Sequence, residues 1–218
     1  MTKEPYYFMD EEDKRRNEIV FFVKDAMPDS WRSCASELHR SAELLWNDKD
    51  NELRLEAAEF HEIKDGKLIN RSQSRMVYSV SRSYFLLAGF ALENLIKGYL
   101  VACDPTLINH GVLGKEIKTH ELSRLARKIE DFKISKNELD FCCIAEKAIP
   151  YWGRYPVPLI SSQVAPEVGL TDELRQGFLS FYDRLDEKLY MKIRNGWDSG
   201  VGAKLEKLTA KKYDSRNG

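Results

Sequence analysis

Residues Ser79 to Asp104 read SVSRSYFLLAGFALENLIKGYLVACD, and three polar residues within this stretch decide how the chain is read. Between Tyr84 and Leu92 apolar side chains fall on almost every face of a helical wheel, the pattern of a helix buried on most sides. Ala88, Gly89 and Ala91 are small enough to let a neighbouring backbone come close. Into this apolar rod come Glu93, Asn94 and Lys97. A buried charge is costly unless it is paired, and Glu93 stands four residues before Lys97, the favourable order for a helical ion pair. On an exposed helix such a pair contributes only ~0.2–0.5 kcal/mol; inside an apolar rod it marks a placed polar group. The same residues break the apolar run short of the ~20 residues a membrane span needs, so no membrane partner is expected.

Upstream, residues 1–29 read as an entry arm. A charged helix starts at Asp10, an apolar patch runs from Ile19 to Val23, and Pro28 stops it. With Ser30 as cap, a second helix carries Trp31, Ala35, Leu38, Ala42, Leu45 and Trp46 at helical spacing. Residues 47–73 fit either a helix–loop segment, helical from Leu53 to Phe60, or a small hairpin turning at Lys64-Asp-Gly-Lys. The central helix is expected to start near Ser74 and to end before Pro105. Downstream, Thr119 is read as a cap for a helix with the stripe Leu122, Leu125, Ala126 and Ile129. Ser135 with Glu138 three residues on is a capping box. Four of the seven prolines fall between Pro150 and Pro166, in a loop that is either functional or a packed connection. Thr171 opens a last amphipathic helix carrying Leu174, Phe178, Phe181, Leu185 and Leu189. Beyond Gly196 a polar, Lys-rich end is expected to fray. These readings give an all-α protein: an N-terminal helical extension over residues 1–73, a helical bundle over 74–195 and a polar tail over 196–218.

The totals narrow the function classes. With 218 residues and a formal net charge of -1, the chain has no global field that would draw a polyanion, so only a local patch can bind nucleic acid. Cys34, Cys103, Cys142 and Cys143 form no CxxC pair, so no zinc site or disulfide framework is expected, but reduced, buried thiols in a cytoplasmic protein. No apolar leader follows Met1.

Three blocks, in order, carry a family resemblance: YFLLAGFALENLIKG from Tyr84, Thr119-His120-Glu121-Leu122, and Gly153-Arg154-Tyr155-Pro156-Val157-Pro158. Over roughly Ser74 to Lys192 the chain resembles the HEPN superfamily, and within it an uncharacterised bacterial subgroup with the last block. The resemblance implies an up-and-down helical bundle, a homodimer, and a place among bacterial toxin, phage-defence or nucleotidyltransferase-partner proteins. Ribonuclease members carry an Arg, four to six residues, then a His on a late helix. Here Arg154 has no His after it, and the two pattern matches, Arg32 to His39 and Arg54 to His61, lie upstream of the resembling region. The resemblance therefore implies a module that binds RNA or a nucleotide without cleaving it, needing no metal or cofactor.

Each candidate residue has two readings. Glu93 with Lys97 is an acid–base pair or a structural ion pair. His120 is a general acid/base or a helix-start residue bonded to its own loop. Arg154, flanked by Tyr151, Trp152 and Tyr155, contacts phosphate among stacked bases, or clamps a carboxylate such as Glu93. The ligand set expected is Glu93, Lys97, His120, Arg154 and Tyr155; if the protein is an enzyme, His120 and Arg154 are its catalytic pair. A purely structural interaction protein remains the third class. Apolar surface for the homodimer is expected from Phe21 and Phe22 and from Phe178, Phe181 and Tyr182.

Overall fold

A computed structural model of the chain describes residues 11–152 and 168–208. Helix takes 59% and strand 12%, so the helical class stands, with two small sheets added. In order come α1 (Glu11–Asp25), α2 (Pro28–Trp46), β1 (Leu53–Lys64), β2 (Lys67–Tyr78), α3 (Ser81–Cys103), α4 (Leu122–Ala126), α5 (Lys136–Lys147), α6 (Asp172–Ile193), β3 (Trp197–Asp198) and β4 (Lys204–Leu205). A 3-10 turn at Pro105–Leu107 follows α3, and a π turn at Ala148–Trp152 extends α5.

Helix α3 is the axis of the molecule. Sixteen of its 23 residues are buried, and α2, α4, α5, α6 and the π turn all pack on it. By length and composition it could cross a membrane, yet 78% of its most apolar window is buried inside the protein, as in the core helix of a folded domain. The small residues do what their size suggests. A Cβ on Gly89 would stand 3.2 Å from Ala145 Cβ and Ile149 Cδ1, so glycine lets α5 and the π turn lie against α3. Phe85 stacks on Phe141 with ring centroids 5.7 Å apart, and Tyr84 meets Phe178 edge-on at 6.0 Å.

Partly buried polar pairs fix how the helices sit. Arg32 on α2 donates from Nε and Nη2 to Asp186 on α6, at 2.7 and 2.8 Å. Glu43 on α2 accepts from the Tyr84 hydroxyl at 2.7 Å and from Arg175 of α6, whose guanidinium lies over the Trp46 ring. The expected capping box opens α5, Ser135 and Glu138 each bonding the other's backbone N–H. Glu138 also accepts from Ser180 and Arg184 of α6 at 2.9 and 2.7 Å. Burial alone would raise the Glu138 carboxyl, but these donors outweigh it and hold the group below the usual carboxylate range.

Several expectations need correcting. Of the two readings of residues 47–73 the hairpin is the one found, and the helix over Leu53 to Phe60 is not: residues 53–78 form an antiparallel hairpin pairing Leu53 with Tyr78 and Lys64 with Lys67. Asp65 and Gly66 both take positive φ, 52° and 73°, the two-residue turn that matches strand twist. Residues 74–78 belong to β2, and α3 begins at Ser81; the ladder runs on to Ser79 N donating to Glu52 O, and Ser81 Oγ donates to Tyr78 O where the chain turns from strand into helix. Pro28 does not stop a helix but opens α2 at its first position after Met27, with Ser30 inside the first turn; a proline at that position loses no hydrogen bond. Thr119 does not cap α4; Glu121 precedes it, and Thr119 Oγ1 accepts from Glu121 N in the loop. Residues 197–205 do not fray: β3 pairs with β4 around a fully buried Ala203. Phe178, Phe181 and Tyr182 are core residues, because the aromatic stripe of α6 faces α2, α3 and α5; only Phe21 of the proposed dimer surface is strongly exposed. Of the cysteines Cys142 is buried, where burial pushes its thiol far up, while Cys34 and Cys103 are exposed.

Candidate functional site

The middle of α3 carries the polar group. Lys97 Nζ donates to Glu93 Oε1 at 2.6 Å, and the two side chains are only 7% and 6% exposed. One helical turn brings them together; the surrounding helices bury them. His120 arrives from the loop before α4. Its Nδ1 lies 3.1 Å from Glu93 Oε1 and 2.9 Å from Oε2. The imidazole is 58% exposed, and its edge faces the Phe90 ring at a centroid distance of 6.4 Å. A buried carboxylate thus holds a solvent-facing histidine by one nitrogen.

Local sequence explains why His120 is held there. Two residues on, Leu122 is fully buried, as are Leu125 and Ala126, which seats the short α4 against α3. Ser123 donates from N and Oγ to Glu146 Oε2 of α5, at 3.0 and 2.8 Å. The loop is therefore fixed on both sides of α4 and cannot drift from Glu93 without unseating a core segment. Because a carboxylate can only accept, Nδ1 is the donor, and the acceptor lone pair of the neutral ring lies on Nε2. Among the described residues Nε2 has no hydrogen-bond partner. A histidine set in this way can accept a hydroxyl proton or, once protonated, meet a phosphate oxygen.

The sequence on either side of His120 is basic. Between Lys115 and Lys128 stand Lys115, Lys118, Arg124, Arg127 and Lys128 against Glu116 and Glu121. Lys115, Lys118 and Arg127 are exposed, while Arg124 pairs with Glu121 at 3.0 Å. No group of three or more His, Cys, Asp or Glu residues that could hold a metal occurs among the described residues.

Three of the five expected site residues, Glu93, Lys97 and His120, come together. Arg154 and Tyr155 lie outside the described residues; the π turn that leads towards them packs on α3. The alternative in which His120 bonds only its own loop is replaced by the bond to Glu93. Of the two upstream Arg–His matches, Arg32 is committed to Asp186, and His39 stacks on Tyr182 at 4.2 Å. His61 bonds Asn70 on the exposed hairpin. Sequence reasoning missed the Glu43–Tyr84–Arg175 group, whose members are 41 and 132 positions apart and share no motif.

No family model, curated protein or solved structure matches this chain. The reading of function therefore rests on the site itself and on the motif resemblance.

Proposed function

We propose that this chain is a HEPN-like module that binds RNA or a nucleotide at a site centred on His120, in the cytoplasm and as part of a bacterial defence or toxin–antitoxin-type system. The observation that carries the reading is the exposed imidazole held at Nδ1 by the buried Glu93. Glu93 accepts from Nδ1 and is itself held by Lys97, so Nε2 is the group presented to a ligand. A ribose hydroxyl or a phosphate oxygen suits that nitrogen. The neighbouring lysines and Arg127 supply the sequence-independent attraction that phosphate binding needs. Arg154 and Tyr155 complete the site in this reading, the guanidinium on phosphate and the ring on a base.

A second reading is a metal-independent ribonuclease, and the same geometry favours it: a carboxylate-oriented histidine is the arrangement of a general base. His120 would take the 2′-hydroxyl proton, and Arg154 would stabilise the charge on the phosphorane. One experiment separates the two. Purified protein, His120→Ala and Arg154→Ala are incubated with mixed RNA, and both binding and cleavage are followed. The binding module predicts intact RNA, with binding weakened in both variants. Cleavage lost in both would make the protein an enzyme. Absence of RNA and nucleotide binding by the folded parent protein would leave a structural interaction protein.

A further inference from the structure

The hairpin β1–β2 is out of proportion to its support. Twelve residues per strand at ~3.4 Å each make an arm roughly 40 Å long, and its two strands form a sheet of their own. A lone two-stranded hairpin is marginal in water. Its base is seated: Val77 is buried against Gly169, and Tyr78 meets Trp46. Further out, Leu55, Met76, Ile63 and Leu68 are each more than half exposed, as is Leu53 at the base. By register these five share one face, since Leu53 pairs with Tyr78, Leu55 with Met76 and Ile63 with Leu68. They fall into two groups at opposite ends of that face, with His61 and Asn70 between them on the tip side.

We infer that β1 pairs with β1 of a second copy of this chain, antiparallel about a two-fold axis at Ala58, making a four-stranded sheet β2–β1–β1–β2. The backbone points to this register. Lys64 and Lys67 close the two-residue turn by a hydrogen bond, so even-numbered residues of β1 bond to β2. The odd-numbered residues from Leu53 to Ile63 then turn their N–H and C=O groups to the open edge. A two-fold at Ala58 matches Leu53 with Ile63, Leu55 with His61 and Ala57 with Glu59 of the second copy. All six outward residues of each strand are paired, none left over.

Side-chain chemistry selects the same register. It sets Arg54 opposite Glu62 and Glu52 opposite Lys64 of the second copy, two opposite-charge pairs on each side of the axis. Slipping by one step that keeps the faces aligned opposes Arg54 to Lys64 in one direction and Glu52 to Glu62 in the other. At each end of the four-stranded sheet an apolar row also becomes continuous. Tyr78 and Leu53 of one copy run into Ile63 and Leu68 of the other, one apolar row across four strands. Pairing through β2 has no such solution, because residues 67–78 hold Lys67, Arg71 and Arg75 and no acid. The dimer is isologous and closed, and it covers an edge that would otherwise template further pairing.

Sedimentation velocity on the full chain, from low to high micromolar concentration, should show a reversible dimer. Arg54→Glu should weaken association at least tenfold, and adding Glu62→Arg should restore it. Ala58→Cys should give a covalent dimer on mild oxidation, since the pair on the axis brings its Cβ atoms close; Ser74→Cys on β2 should not. A monomer at high micromolar concentration overturns the inference, as does a dimer indifferent to Arg54→Glu or cross-linked through Ser74→Cys. A monomer that loses RNA binding on Arg54→Glu would assign the arm to nucleic acid and overturn it equally. His120 lies outside the hairpin, so His120→Ala should leave the dimer intact whatever it does to RNA binding.

Discussion

At the scale of single residues, the protein places charge inside its core and neutralises it by geometry. Lys97 and Glu93 are both nearly fully buried and 2.6 Å apart. Removing one partner of such a pair strands the other, which typically costs about 3–5 kcal/mol, whereas replacing both by apolar residues of similar volume is often neutral. Lys97→Met should therefore destabilise by about 3 kcal/mol in urea unfolding, and Glu93→Leu with Lys97→Met should recover most of the loss. Recovery of stability without RNA binding would show that the pair is kept for the ligand. His39 is a different case. It stacks on Tyr182, its buried Nε2 has no hydrogen-bond partner among the described residues, and burial lowers its affinity for a proton. The nearby Arg175 adds to that effect, and Glu43, Asp183 and Asp186 only partly oppose it. Because the folded ring resists protonation, the unfolded chain holds more protons below about pH 6.5. Stability is then complete above that pH and falls as pH drops towards the folded value. Replacing His39 with Phe should flatten the part of the unfolding free energy that falls as pH drops below about 6.5, measured as the difference from the parent chain.

Between elements, fit is set by where backbones touch. α5 and α6 meet at Gly177, where an added Cβ would lie 2.6 Å from Asn137 O and 2.9 Å from its carbonyl carbon. Those are backbone atoms at the start of α5 and cannot swing aside. Gly177→Ala should thus cost about 1–3 kcal/mol through overpacking, despite alanine's better helix propensity; thermal unfolding reads this directly, and an unchanged Tm would mean that the helices separate easily. Sequence showed the elements better than their limits. The buried character of α3, the capping box of α5 and the opening of α6 at Thr171 were legible because each is a local pattern. The hairpin was ambiguous, since Leu53-Arg-Leu-Glu-Ala-Ala-Glu-Phe alternates like a strand yet is rich in helix formers; the Asp65–Gly66 turn is what selects the strand. The start of α3 was misplaced because the serines before it read equally well as strand or cap.

For the whole molecule, the site was legible where polarity conflicted with its surroundings. Glu93 and Lys97 stood out against an apolar helix, and His120 against the start of a short one, so their meeting follows from the cost of burying charge alone. Nothing local announced Glu43, Tyr84 and Arg175, because their contact depends on how α2, α3 and α6 stack. Two surfaces carry the proposals: the surface around His120 and the hairpin arm. The account stands or falls on the first. The most direct test is a fluorescence-anisotropy titration of labelled single-stranded RNA, with parent protein and His120→Ala, at several salt concentrations. The account predicts that the parent binds with an affinity falling as salt rises, at about −0.7 in log–log slope per phosphate contacted, and that His120→Ala, with unchanged circular dichroism, binds at least tenfold more weakly. Equal affinity of the two proteins, or no binding by the parent at low salt, would contradict it.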